Sequence, residues 1–177
     1  MGHDYCRLTE KQMTMSKQLF IIRHAKSDWS FEVEDIDRPL NARGFENAPE
    51  MARRLIMRGE TPQLLVSSPA KRALTTAQIF AEHLHTAVRD IRIDPRIYEA
   101  QPDVLLNIIN EIDDRYDRAA LFGHNPGLTS LANLLADENI GNIPTCGIVQ
   151  LIFEDLDGWN LISGGLGKMV FFDTPKR

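Results

Sequence analysis

Three short apolar runs each break off into polar residues and then a helix-like pattern, and this recurrence limits the fold more than any other feature of the chain. The runs are QLFII (18–22), LLVS (64–67) and AALF (119–122). Apolar runs of four or five residues are too short for a helix and suit a buried strand. The intervening segments carry helical periodicity. In NARGFENAPEMARRLIMRG (41–59), Asn41 is placed to cap, Met51 and Leu55 share a face, and Gly59 is a stop; Pro49 predicts a kink or a late start. In SSPAKRALTTAQIFAEHL, Ser68 is expected to cap and Pro69 to take the first helical position, ahead of an apolar stripe at Ala73, Ala77, Phe80 and Leu84. Helices are also expected over 104–112 and 128–136, and a short strand over 91–93. IVQLIF (148–153) and WNLIS (159–163) read as an antiparallel hairpin, with KMVFF (168–172) as a last strand. The expected fold is α/β, a mixed, mainly parallel central sheet with helices on both faces. Residues 18–177 read as one domain behind a polar extension over 1–17, in which Met13 and Met15 offer alternative starts.

Composition removes several classes of function. With a formal charge of −5 and no basic run, the chain has no electrostatic footprint for nucleic acid. No apolar stretch approaches the roughly 20 residues of a membrane span, and the N-terminus lacks the apolar region of a signal peptide. Cys6 and Cys146 form neither a CxxC nor a metal pattern. A cytoplasmic protein without structural disulfides is expected, with Cys146 a small, half-buried residue rather than a nucleophile.

The polar ends of the three runs share one chemistry. The first closes in Arg23-His24, the second in Ser67-Ser68-Pro69 with Arg72 just beyond, the third in Gly123-His124. Ligands of open α/β sheets bind outside the carboxyl ends of the strands. If these strands are parallel neighbours, two arginines and two histidines converge there, beside helix N-termini that favour an anion. A phosphoryl group fits, because a guanidinium can hold two of its oxygens through a planar fork. No Asp or Cys stands at a metal-binding spacing from the histidines, so neither a metal nor another cofactor is expected. A neutral imidazole is itself a nucleophile toward phosphorus, and the arginines would offset charge on the equatorial oxygens. The GGLGK segment (164–168) imitates a phosphate loop but lacks the hydroxyl residue after Lys168.

IIRHAKSDW, SSPAKRALTTA and FGHNPG resemble the three signatures of the histidine phosphatase superfamily, the phosphoglycerate-mutase-like fold. RHAKSDW followed by DRPLNARG is most similar to its short bacterial branch, the SixA-type phosphohistidine phosphatases. The likeness spans about residues 18–163. It implies that His24 is the nucleophile and that Arg23, Arg72 and His124 form the phosphate pocket. Two positions depart from many relatives: Ala25-Lys26 stands where they carry Gly-Glu, and Ser30 replaces an asparagine that helps hold phosphate in mutase-like members. Ser30 is therefore a candidate substrate-binding residue. Relatives that act on esters protonate the leaving oxygen with a carboxylic acid from the segment here reading RIYEAQPD. Glu99 is the matching residue, flanked by Asp94 and Asp103.

The function expected is a metal-independent phosphatase working through a covalent phosphohistidine, with a phosphorylated protein as substrate. The alternatives are a phosphatase of small phosphorylated metabolites, a mutase, and a non-catalytic phospho-ligand-binding protein. Asp28, Glu32, Glu34, Asp35 and Asp37 form an acidic rim after His24 that would repel multiply phosphorylated sugars. The short span from Arg72 to His124 leaves little room for a lid.

Overall fold

The computed structural model of the chain describes residues 15–59 and 61–175. Its strands are β1 (Ser16–Arg23), β2 (Leu64–Ser67), β3 (Arg92–Ile93), β4 (Arg118–Gly123), β5 (Ile148–Glu154) and β6 (Lys168–Asp173). They form one sheet in the order β3-β2-β4-β1-β5-β6. β1, β2, β3 and β4 run parallel, and β5 pairs antiparallel with both β1 and β6. The helices are α1 (Ala42–Met57), α2 (Lys71–His83), α3 (Pro102–Asn110) and α4 (Gly127–Ala136). This is the mixed α/β sheet expected from the alternation.

β1 shows why its apolar run is continuous rather than alternating. Leu19 and Ile21 point into a core shared with Leu105 and Ile108 of α3 and Leu128 and Leu131 of α4. Phe20 and Ile22 point the other way, against Met51 and Leu55 of α1 and Phe80 of α2. A strand covered on both faces needs apolar side chains at every position.

Local details depart from the sequence reading. α1 starts at Ala42 with Asn41 accepting from Gly44 N at 2.9 Å, and runs on past Pro49, so the late start is not taken. Gly59 follows it at φ +84°, the left-handed position that favours glycine. α2 begins at Lys71, not at Pro69, and Ser68 accepts only from Ala70 N, at 3.2 Å, because its hydroxyl serves the site described below. WNLIS is not a strand. Trp159–Leu161 is a single 3-10 turn that buries Trp159 and Ile162, three residues apart, and β5 forms its hairpin with β6. The extension expected over 1–17 lies mostly outside the described residues, as do Cys6 and Met13. β1 already begins at Ser16, and the buried Lys17 ammonium donates to Asp114 O (2.8 Å), Tyr116 O (3.1 Å) and Asp117 Oδ1 (3.0 Å). Cys146 is wholly rather than half buried, and burial pushes its thiol up to about 12. Among the described residues, no helix is long and apolar enough to cross a membrane.

Phe80 ties α2 to the sheet through an edge contact with Phe122, ring centroids 5.3 Å apart. Phe80→Ala is expected to lower stability by about 3–5 kcal/mol in urea unfolding, as for other buried aromatics. A loss below about 1 kcal/mol would contradict this packing.

Candidate active site

The parallel register brings three chain ends to one level. Arg23 lies opposite Gly123, and beyond the strands His24 N donates to Gly123 O at 3.1 Å and Ser68 N to Phe122 O at 3.0 Å. From the β5 side, Cys146 N closes over the carbonyls of Arg23 (3.1 Å) and His24 (3.0 Å). Thr76 of α2 accepts from Ala25 N at 3.0 Å and donates to Arg72 O at 2.7 Å, joining the residue after His24 to the turn that carries Arg72. Gly127 admits the Ala100 carbonyl where a Cβ would sit at 2.3 Å, which brings the Glu99 loop against the start of α4.

His24 and His124 stand with ring centroids 5.2 Å apart. His24 Nδ1 lies 2.8 Å from Ala25 O. A carbonyl only accepts, so Nδ1 carries the proton and Nε2 keeps its lone pair. Burial, with the nearby charges of Arg72 and Arg23 and the His124 ring adding to it, lowers His24 to about 3 despite the raising effect of the Ala25 carbonyl. His24 is therefore a neutral imidazole with an available nitrogen. His124 Nε2 lies 2.8 Å from Ser68 Oγ, whose own lone pair receives Ala70 N. Burial first, then Arg72, lowers His124 to about 4.

Among the described residues, the buried side-chain nitrogens and oxygens without a hydrogen-bond partner are Arg23 Nε, Arg72 Nε and His124 Nδ1. Two are guanidinium donors and the third is a ring nitrogen, and all belong to the cluster at the strand ends. Leaving a buried donor unmet costs about 1–3 kcal/mol, so their gathering in one place marks a site for an acceptor-rich anion. Arg23 is held by Ile143 O at 2.9 Å and Asn142 Oδ1 at 3.4 Å. Arg72 is held end-on by Asp35, through the backbone oxygen at 2.6 Å and Oδ2 at 2.9 Å. This leaves the Nε side of the fork for a ligand.

Asp35 is the residue that sequence reasoning missed. The sequence places it in the acidic rim, yet it also accepts from Tyr98 OH at 2.8 Å and from Arg38 at 2.8 and 3.2 Å. Burial opposes its charge, but the hydrogen bonds from Arg38, Tyr98 and Arg72 hold the carboxyl well below the usual range. Tyr98 in turn sets its ring edge-on to His124, centroids 5.6 Å apart. Nothing local in the sequence distinguishes Asp35 from Glu34 or Asp37; its role arises from contacts with α2 and the Tyr98 loop.

A cleft of about 310 Å³ opens beside the cluster, lined among others by Arg72, Glu99, His124 and Asn125. Of the three acids in RIYEAQPD, Glu99 is the one on its wall, and its φ of +54° is a conformation that side chains other than glycine rarely adopt. Asp94 is buried among arginines, accepting from Arg96 at 2.7 and 3.0 Å and from Arg92 at 3.3 Å, and Asp103 is exposed in the first turn of α3. Ser30 is exposed, and its N–H and hydroxyl both bond to Asp28 Oδ1 rather than to the cluster.

The family model of the histidine phosphatase superfamily, branch 1, matches residues 19–137, which carry all four residues of the cluster. The chain belongs to the histidine phosphatase superfamily. Rv1276c, an uncharacterized protein of Mycobacterium tuberculosis, is 29% identical over 166 residues, covering 88% of this chain and all of that one. Among solved structures, a SixA protein of Agrobacterium tumefaciens, to which phosphohistidine phosphatase activity is ascribed, is similar with a TM-score of 0.75 and 25% identity. It covers 90% of this chain and 99% of its own. A mycobacterial glucosyl-3-phosphoglycerate phosphatase shares the fold, with a TM-score of 0.66 at 18% identity over 90% of this chain and all of that one. Membership of this superfamily makes the protein a phosphatase, and its fold is that of the SixA neighbours.

The two histidine shifts yield a direct check. Followed by NMR in the ligand-free protein, the imidazole signals of His24 and His124 should hold still from about pH 8 to about pH 5 and move only below that. A midpoint near the ordinary 6.5 for either would contradict the buried, neutral pair.

Proposed function

We propose that the protein hydrolyses phosphohistidine on a protein substrate, without a metal ion, through a covalent intermediate on His24. The observation that carries this reading is the convergence of the unmet Nε donors of Arg23 and Arg72 and the His124 ring on a neutral imidazole whose Nε2 lone pair is available. Arg23, Arg72 and His124 would hold the phosphoryl oxygens and take up charge as it develops in the transition state. His24 Nε2 would attack phosphorus as the bond to the leaving group breaks. Water would then attack the phosphorus on His24, releasing inorganic phosphate and returning the imidazole. A protein substrate is supported by the likeness to SixA. A cytoplasmic setting accords with it.

Glu99 supports a second reading, a phosphatase of small monoesters. On the cleft wall its carboxylic acid would protonate a departing alkoxide, then accept a proton from the attacking water. Phosphohistidine needs this less, because its imidazole leaves as a neutral ring once protonated from solvent. Glu99→Gln separates the two. If phosphohistidine is the substrate for which the site is built, the change should slow alkyl phosphates about 10²–10⁴-fold and phosphohistidine protein far less, in a side-by-side substrate panel. Equal slowing of both would break the link between the acid and the leaving group. A wild type that cleaves alkyl phosphates and leaves phosphohistidine protein intact would give the function to small esters.

A further inference from the structure

Resting on the protein-substrate reading, we propose that the strap between His24 and α1, residues 27–40, is the docking surface for the phosphorylated protein, and that it selects apolar and basic side chains around the phosphorylated residue. Trp29, Phe31 and Val33 are 75%, 56% and 49% exposed, and Ile36 is exposed beside them. Scattered apolar residues on a surface are ordinary, but four on one short segment whose Asp35 contacts Arg72 and Tyr98 mark an interaction surface. Glu32, Glu34 and Asp37 alternate with them and face solvent.

The strap is held in place. Ser27 and Leu40 form an isolated antiparallel bridge that closes its base. The Arg38 guanidinium lies 3.6 Å from the centroid of the Trp29 ring and donates to Ser27 Oγ and to Asp35. Asp35 in turn holds Arg72. An unbroken chain of contacts therefore runs from the exposed indole to the phosphate arginine. An aromatic platform fixed from beneath binds without first losing its own freedom, and buried Trp and Phe anchors dominate many interfaces.

Charge names the partner. Asp35 is matched by Arg38 and Arg72, whereas Glu32, Glu34 and Asp37 face solvent and form no ion pair among the described residues. Such a rim repels nucleic acid and anionic lipid and attracts a segment bearing Lys or Arg. Of the classes of macromolecule this surface could meet, a basic, amphipathic protein segment is the one it complements.

The test uses the full chain, a phosphohistidine peptide flanked by Leu and Lys, the same peptide with Glu in place of Lys, and para-nitrophenyl phosphate. Wild type should prefer the basic peptide by at least about tenfold in kcat/KM, and the preference should shrink with added salt. The double variant Phe31→Ser, Val33→Ser should lose at least about tenfold on the basic peptide, through KM, with para-nitrophenyl phosphate turnover unchanged. Glu32→Gln with Glu34→Gln should erase the preference between peptides. Parallel losses on peptide and ester would make the strap a support of the pocket and overturn the docking role. Peptides cleaved without regard to flanks or variants would overturn docking alone and leave the protein-substrate reading standing. A wild type that cleaves only the ester would overturn that reading, and docking with it.

Discussion

The parallel register of β1 against β4 is the constraint on which the site depends. It sets Arg23 opposite Gly123, so that the next residue of each strand, His24 and His124, emerges beside the other. β2 joins on the far side of β4 and brings up Ser68, which orients His124. A slip of one residue in either pairing would turn the side chains to the opposite faces of the sheet and take the histidines out of reach of each other. The two-sided core enforces that register, since every residue from Leu19 to Ile22 has a buried place on its own face.

Around this frame the fold concentrates positive charge and leaves donors unmet. Burying guanidinium nitrogens without partners costs free energy that an anion bound there would return. Asp35 moderates that cost. It steadies Arg72 end-on and leaves the Nε side open, so a carboxylate at the site organises this arginine instead of filling the place of a ligand. Tyr98 and Arg38 complete the arrangement, linking the strap, α2 and the Glu99 loop through one side chain.

Much of this was legible in the chain because it is local. Apolar runs ending in Arg23-His24, Ser67-Ser68 and Gly123-His124 announce both the strands and the chemistry at their ends, since strand and site are contiguous in sequence. What was not legible depends on contacts between distant segments. Asp35 looks like its acidic neighbours until the fold sets it against Arg72 and Tyr98. Ser68 looks like a helix cap, and its hydroxyl instead serves His124. WNLIS has the composition of a strand, but Trp159 finds its buried place and the Tyr116 carbonyl only by turning, with Nε1 donating at 2.7 Å. Residue type alone does not separate Glu99 from Asp94; the pairing of Asp94 with Arg92 and Arg96 does.

The central claim is that His24 Nε2 takes the phosphoryl group. Quenching the protein in denaturant during steady turnover of a radiolabelled phosphate substrate, then mapping the label by peptide analysis, tests it most directly. Acid-labile, base-stable label is expected on His24 and absent from His24→Ala, which should remain folded by circular dichroism and lose essentially all turnover. Label on another residue, or a folded His24→Ala protein with full activity, would contradict it.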